Sequence, residues 1–340
     1  MSKQKGWAGN FFEDFGLEQS VPCPTPRALT HGEIAQYIAM TCDRSPRFCG
    51  ADGRIHPLLL FHQVLGQTVR HVSLNAFANL GYAELRWHRP VYAGVEVHTR
   101  AEVIGLKENS SGKSGIVYVR TTGCDQEGNT LLSFVRWVMV RKRDAAPTRW
   151  RAQPVVPTLE SVVDPASLSL PDPPTRPQAD ARWCLSDYTV GERIFHMDGH
   201  TVNSADHMAF TRLFQNSARV HFDARLTEGR PLVFGGYVMS IGYAQAHNGM
   251  NSRLGIAAIN GGTHANPVHA GDTLYSFTEI RDIEPLGSAE VGAARCRLTV
   301  MKNQNPADHP DLVVGEGRNV HPNVVLDLDL WELLPKTLPL

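Results

Sequence analysis

The chain carries an internal duplication. Asp14-Phe15-Gly16-Leu17 in the first half is matched by Asp187-Tyr188-Thr189-Val190, 173 residues later. At the same offset Glu33 and Tyr37 fall on Asp206 and Phe210. Pro57-Leu58 falls on Pro231-Leu232 at an offset of 174, and Pro90-Val91-Tyr92-Ala93-Gly94 falls on Pro267-Val268-His269-Ala270-Gly271 at 177. An offset that grows in small steps is what loops of slightly different length leave between matched elements. Such a chain is restricted to folds in which one unit of about half its length is built twice. The duplication also allows a comparison inside one sequence. A polar group kept by one copy and lost from the other marks a place where chemistry survives.

The segment from Asp144 to Arg182 contains Pro147, Pro154, Pro157, Pro165, Pro171, Pro173, Pro174 and Pro177. Proline removes a backbone donor and blocks helix continuation, so this segment is read as an extended crossover on the surface. The expected division is a first unit over 1–145, a linker over 146–182 and a second unit over 183–340. Composition adds exclusions. With 42% hydrophobic and 20% charged residues the chain resembles ordinary globular proteins. A net charge of -1 offers no basic field to nucleic acid. No apolar run approaches the roughly 20 residues that cross a bilayer, so no membrane association is expected. Met1 to Gly9 is polar and lacks the apolar stretch of a signal peptide. The cysteines Cys23, Cys42, Cys49, Cys124, Cys184 and Cys296 form no CxxC and no Cys/His set at zinc spacing. No metal site is expected, and scattered reduced thiols fit a cytoplasmic location.

Both copies predict the same order of elements. A short strand near Ser20-Val21 or Arg193 to Phe195 precedes a helix. Thr30-His31-Gly32-Glu33 has the Thr-x-x-Glu form of a capping box, and the helix it starts should run to about Met40. Its counterpart covers about Ala205 to Phe214, with Asp206 in the first turn, where the helix dipole favours an acid. Leu58 to Val69 and Leu232 to Ala246 are apolar on more than one face, as buried helices are. Strands follow. Gly115 to Thr121 and Leu131 to Arg141 flank the turn Asp125 to Asn129, with Ile116, Val117, Val119, Val135, Trp137 and Met139 as apolar positions. Ala294 to Met301 and Val324 to Trp331 take the same places in the second copy, and Leu326 to Leu330 alternates as a half-buried strand does. A largely apolar helix wrapped by an antiparallel sheet, present twice, is an α+β tandem (double) hot-dog arrangement. Fusion in tandem would let the two sheets join and hide one edge strand of each.

The copies differ where a loop precedes the central helix. The second has Gln215-Asn216-Ser217-Ala218-Arg219-Val220-His221-Phe222-Asp223; the first has Cys42-Asp43-Arg44-Ser45-Pro46-Arg47-Phe48-Cys49. Asn216 aligns with Asp43, and His221 with Phe48. This spacing resembles the hydratase motif of the MaoC-like and (R)-specific enoyl-CoA hydratases, in which an acid stands five residues before a histidine. Each copy keeps half of that pattern. His221, with an ordinary pKa of about 6.5, suits proton transfer near neutrality; the alternative is a satisfied structural histidine. Asn216 cannot act as a base but can hold a water or a carbonyl. Asp43 without its histidine is expected to cap or turn the chain. Gly235-Gly236 should begin the second central helix, where unpaired N–H groups can approach a thioester oxygen as it gains charge; glycine needed only for packing is the other reading. The first copy has Phe61-His62 there, leaving His62 as a polar contributor.

Longer phrases narrow the resemblance. They include Gly9 to Phe15, Val72 to Glu84, Val103 to Ser110, Val135 to Asp144 and Arg212 to Phe222. Together they resemble the mesaconyl-CoA hydratases, also called β-methylmalyl-CoA dehydratases, over nearly the whole chain apart from the linker. Cys42 to Ile55 departs from that pattern, which would alter the acyl group accepted if this loop borders the acyl pocket. The resemblance implies reversible addition of water to the double bond of mesaconyl-CoA, giving β-methylmalyl-CoA, with no cofactor because the CoA thioester carries the activation. Arg219 is then a candidate for the substrate's free carboxylate, or a solvated surface arginine. Glu84 is a candidate second acid/base, or a strand-edge charge. The rival readings are dehydration of another branched or dicarboxylic acyl-CoA, a thioesterase, and a catalytically silent acyl-CoA-binding protein. The tandem copy supplies one internal pair, and a homodimer of the chain is compatible with it.

Overall fold

The computed structural model describes residues 5–171, 181–315 and 319–338. Residues 1–4 of the polar N-terminus, and Pro173, Pro174 and Pro177 of the expected linker, lie outside them. In the first half, β1 (Ser20–Val21) and β2 (Arg27–Ala28) precede α1 (His31–Thr41) and α2 (Pro57–Val72). Then come β3 (Ala76–Trp87), β4 (Glu96–Glu108), β5 (Ser114–Cys124) and β6 (Thr130–Arg141). After the short α3 (Arg149–Ala152), the second half repeats the order with β7 (Arg193–Thr201), α4 (Ser204–Leu213) and α5 (Gly235–Gln245). It closes with β8 (Gly255–His264), β9 (Thr273–Glu284), β10 (Val291–Lys302) and β11 (Val324–Pro335).

The strands form one antiparallel sheet in the order β1-β4-β5-β6-β3-β8-β11-β10-β9-β7, with β2 paired to β4. The order reads the same from both ends when each strand is replaced by its repeat partner. The seam is β3 with β8, where Tyr82 faces Gly262 and Leu85 faces Ile259. Two strands that would be exposed edges in separate units are thereby paired, which removes their unpaired backbone groups from water. This is the double hot-dog fold.

The repeated residues do repeated work. The Asp14 and Asp187 carboxylates each accept a hydrogen bond from the backbone N–H three residues earlier, Phe11 at 2.9 Å and Cys184 at 2.8 Å. The Thr30 hydroxyl accepts from the Gly32 N–H, while Glu33 accepts from the Thr30 N–H, so α1 starts with the expected box. Asn203 caps α4 by accepting from the Asp206 N–H at 2.8 Å. Tyr37 and Phe210, matched by the duplication, lie against each other with ring centroids 6.0 Å apart. Both central helices are buried along nearly their whole length. One apolar core, including Leu59, Leu65, Tyr237, Ile241, Leu328 and Leu330, spans both halves.

Among its described residues, the crossover over 146–182 carries α3 and a single turn at Pro165–Ser167. It lies over the face of the sheet turned away from the helices. There Val163 covers Trp331 and Leu333, its carbonyl accepts from the Trp331 indole, and its N–H donates to the Asn260 carboxamide. One strand differs from the sequence expectation. Trp137 and Met139 of β6 are half-buried on that outer face, while Phe134, Arg136, Val138 and Val140 are buried. The Arg136 guanidinium donates to the Thr68 hydroxyl of α2 at 2.7 Å, which places this side chain on the helix side. Apolar residues occupy both phases of this strand, so alternation alone did not settle which face holds the charge.

Candidate active site

A cavity of about 300 Å³ opens between the two halves. Its wall includes Asn79, Tyr82 and Arg136 from the first half, and Asn216, His221, Phe234, Gly235 and His264 from the second. No aspartate or glutamate is among its lining residues.

His221 ends a short 3₁₀ turn, Arg219–His221, and Leu232 holds both this turn and the ring. The Leu232 N–H donates to the Val220 carbonyl at 2.9 Å, and the Leu232 carbonyl lies 2.8 Å from His221 Nδ1. A carbonyl oxygen only accepts, so Nδ1 carries the proton. In the neutral ring the lone pair is then on Nε2. Burial lowers the His221 pKa to about 4, with the Leu232 bond opposing and His207 adding to the shift. The ring is therefore neutral near pH 7. Asn216 Oδ1 accepts from the Ala218 N–H at 3.1 Å, which commits the oxygen to the turn and leaves the NH₂ end as the group the side chain has to offer the cavity.

α5 begins at Gly235 with no side-chain cap on its first turn. The N–H groups of Gly235 and Gly236 make no hydrogen bond among the described residues. The two glycines have different surroundings. A Cβ on Gly235 would lie 2.7 Å from both ring nitrogens of His264, so the bare backbone lets His264 pack over the helix start at the cavity wall. A Cβ on Gly236 would meet Phe234 Cζ at 2.5 Å and His62 Cε1 at 2.8 Å, and Gly236 is absent from the lining. Gly235 is thus at the site, and Gly236 packs behind it.

The remaining candidates lie elsewhere. His62 is fully buried between the two central helices, with Nε2 2.9 Å from the Ser240 hydroxyl and Phe210, Phe214 and Phe234 around the ring; it does not line the cavity. Arg219 is exposed and donates to the Asn75 side chain at 3.1 Å and to the Ala8 carbonyl at 2.9 Å, which ties the N-terminal segment to the second half. Glu84 pairs with Arg120 at 2.9 Å and accepts from the Glu160 N–H at 3.0 Å, so it anchors the crossover on the outer face. Neither Arg219 nor Glu84 reaches the cavity wall.

The first copy's loop explains the lost half of the motif. Asp43 Oδ1 accepts from the Ser45 N–H at 2.8 Å, the same turn that Asn216 makes with Ala218. Its other oxygen lies 3.3 Å from His56 Nε2. Although burial opposes it, the His56 contact, the Ser45 N–H and Arg253 hold the Asp43 carboxyl down to about 2. Phe48 packs edge-on against His56 at 4.7 Å, so the first copy fills its own site with side chains. No residue of 42–55 lines the cavity between the halves, which places the departing loop away from it.

Among the wall residues that sequence reasoning missed are His264, Tyr82 and Arg136. His264 Nε2 lies 3.0 Å from the Tyr82 hydroxyl, and burial next to His221 lowers the His264 pKa to about 4. Tyr82 is the cross-strand partner of Arg136. The available signal was a lone charge at Arg136 within the apolar run of β6.

Comparison with known proteins places the fold and the family. The family model described as mesaconyl-CoA hydratase matches residues 3–309. A mesaconyl-CoA hydratase of Cereibacter sphaeroides is 43% identical, with 97% of this chain and 99% of that protein covered. A β-methylmalyl-CoA dehydratase of Chloroflexus aurantiacus is 41% identical, with 96% and 97% covered. A crystal structure described as a MaoC domain protein dehydratase, also from Chloroflexus aurantiacus, superposes with a TM-score of 0.92 at 39% identity, covering 98% of this chain and 99% of its own. A double hot-dog protein of Mycobacterium tuberculosis, 24% identical with a TM-score of 0.73 over 96% of this chain and 99% of its own, shares the fold. The chain therefore belongs to the mesaconyl-CoA hydratase family.

Proposed function

We propose that this protein is a hydro-lyase that adds water reversibly to mesaconyl-CoA to give β-methylmalyl-CoA. The observation that carries the reading is the fixed tautomer of His221, a buried neutral imidazole with Nδ1–H held by Leu232 and Nε2 left to accept a proton at the cavity.

The roles follow from the atoms. Asn216 and His221 hold a water against the β-carbon of the enoyl thioester. His221 Nε2 takes one proton from that water as its oxygen bonds to the β-carbon. The electron pair of the double bond moves toward the thioester oxygen, which becomes enolate-like. The Gly235 N–H, unpaired at the start of α5, faces that developing charge. The protonated imidazole, disfavoured by its burial, then gives its proton to the α-carbon. Water is added with no net change in oxidation state. The thioester supplies the electronic activation, so the reading invokes no further cofactor.

The wall lacks a carboxylate, which disfavours the thioesterase reading, since hot-dog thioesterases usually place an acid near the thioester. Incubation of the purified protein with mesaconyl-CoA tests the proposal. The expected result is loss of enoyl absorbance with formation of β-methylmalyl-CoA. Release of free CoA with no hydrated product would overturn it.

A further inference from the structure

The charge at Arg136 is not accounted for by the fold. The residue is 1% exposed in the middle of β6. Nη2 donates to the Thr68 hydroxyl at 2.7 Å and to the Ser73 hydroxyl at 3.4 Å, both neutral groups from α2 and its C-terminal end. Nε is buried with no hydrogen-bond partner. Among the described residues no carboxylate lies within ion-pair distance, and none lines the cavity that Arg136 borders. The nearest ionisable groups that would favour its charge are Tyr82 and Cys23, and burial pushes both of these away from ionisation. Burial also lowers the guanidinium to about 10, still protonated at neutral pH.

An unpaired buried cation is expensive, because desolvation is repaid only by an opposite charge with matching hydrogen bonds. The other buried cations of this protein follow that rule. Lys142 pairs with Glu108 at 3.0 Å, and Arg253 has Glu332 at 4.0 Å. Arg136 is the exception, and it is the one of the three on the cavity wall. Nη2 is held by the two hydroxyls, so Nη1 is the donor left for a carboxylate at the cavity wall, and a guanidinium suits that partner. Position supports the same reading. Arg136 faces Tyr82 across the β6–β3 ladder, Tyr82 meets His264, and His264 packs over Gly235. The cation and the proposed thioester site are thus joined along one wall.

We propose that Arg136, supplied by the first half, binds the free carboxylate of the acyl group and selects dicarboxylic over neutral enoyl-CoA thioesters in the cavity of the second half. The proposal rests on the hydratase reading for its substrate class. It gives the first copy a direct part in recognition. It also transfers the carboxylate role from Arg219, which is occupied at the surface, to a residue with no acidic partner among the described residues. In mesaconyl-CoA the carboxylate is carried by the β-carbon, so gripping it would also fix the carbon that water attacks.

The test compares mesaconyl-CoA with 2-methylcrotonyl-CoA, in which a methyl group replaces the carboxylate. kcat/KM is measured for wild type, Arg136→Met and Arg136→Lys. The wild-type preference for mesaconyl-CoA should fall by about 10²–10³-fold in Arg136→Met, the range for losing one partner of a buried charge pair. Arg136→Lys, which keeps the charge without the guanidinium, should retain part of it. An equal loss on both substrates would overturn the assignment, because a purely structural arginine affects both alike. A second arm needs no turnover. Succinyl-CoA and butyryl-CoA differ in the same way and have no double bond to hydrate. Wild type should bind succinyl-CoA more tightly, and Arg136→Met should lose that difference. Binding discrimination by a wild type that hydrates neither enoyl thioester would sink the hydratase reading and support Arg136. Active wild type with discrimination unchanged in Arg136→Met would sink the assignment alone. If the Met variant does not fold, the Lys variant carries both comparisons.

Discussion

Replacing Gly235 with alanine separates an active-site glycine from a packing one. The added Cβ would stand 2.7 Å from Nδ1 and Nε2 of His264, where ordinary carbon–nitrogen contacts are about 3.5 Å or more. Relief requires the ring or the start of α5 to move by close to 1 Å. His264 is held by Tyr82 at 3.0 Å, so the ring cannot turn freely. A shift of that size in an N–H aimed at a developing oxyanion is expected to cost about 10²-fold in kcat, and loss of one such donor about 10²–10³-fold. Stability should change much less. Alanine is favoured over glycine within a helix by about 0.5–1 kcal/mol, and overpacking opposes that by about 1–3 kcal/mol. The net is at most about 2.5 kcal/mol. Gly236→Ala is the control. Its Cβ would meet His62, which does not line the cavity, and the ring of Phe234, which does, but Gly236 itself is off the wall, so the change should lower the denaturation midpoint more than it lowers kcat. Steady-state hydration of mesaconyl-CoA and urea unfolding of both variants decide the matter. Full activity in Gly235→Ala, or a larger loss of kcat in Gly236→Ala than in Gly235→Ala, would refute the role given to the α5 start.

Three further outcomes are expected. His221→Ala should lower kcat by about 10²–10⁴-fold, the range for a general acid/base, while acyl-CoA affinity measured by calorimetry changes little. Acid should cost both activity and stability. The folded pKa values of His221 and His264, about 4, lie below the unfolded value near 6.5. The unfolded chain therefore takes up protons first. Each ring's contribution is complete above about pH 6.5 and is lost as pH falls toward 4, worth about 3 kcal/mol apiece; urea midpoints that stay level between pH 7 and 4.5 would contradict this. For the same reason kcat/KM in the hydration direction should be flat near neutrality and fall through about pH 4. Asp43→Ala should cost about 3 kcal/mol by stranding His56 in the first half's filled site, yet leave the choice between dicarboxylic and neutral substrates intact.

Much of the fold was legible because its signals are local. The Thr30–Glu33 box, the apolar central helices and the Leu326–Leu330 alternation are each written in contiguous residues. Asp43 and Asn216 were paired by position alone, and they make the same turn. The site was legible in part, since His221, Asn216 and Gly235 belong to one stretch of loop and helix start and do share the cavity. Arg219 and Glu84 were nominated on charge and neighbourhood. The structure gives each of them a partner elsewhere, Ala8 and Asn75 for the arginine, Arg120 and the crossover for the glutamate. His62 is close to the site in sequence register but turns toward Ser240 between the helices.

The sequence by itself determined that one unit is built twice, about where the four long helices start, and that the histidine survives in one copy only. These follow from periodicity, capping and the comparison of matched positions. Only the tertiary structure decided which face of β6 points inward, and with it that Arg136 enters the cavity without an acid to pair with. It also decided that His264 reaches the start of α5. The physical reason is that a strand's side chains alternate between faces. The face that is buried is set by the helix packed against it and by the strands paired beside it, here joined across two copies of the unit.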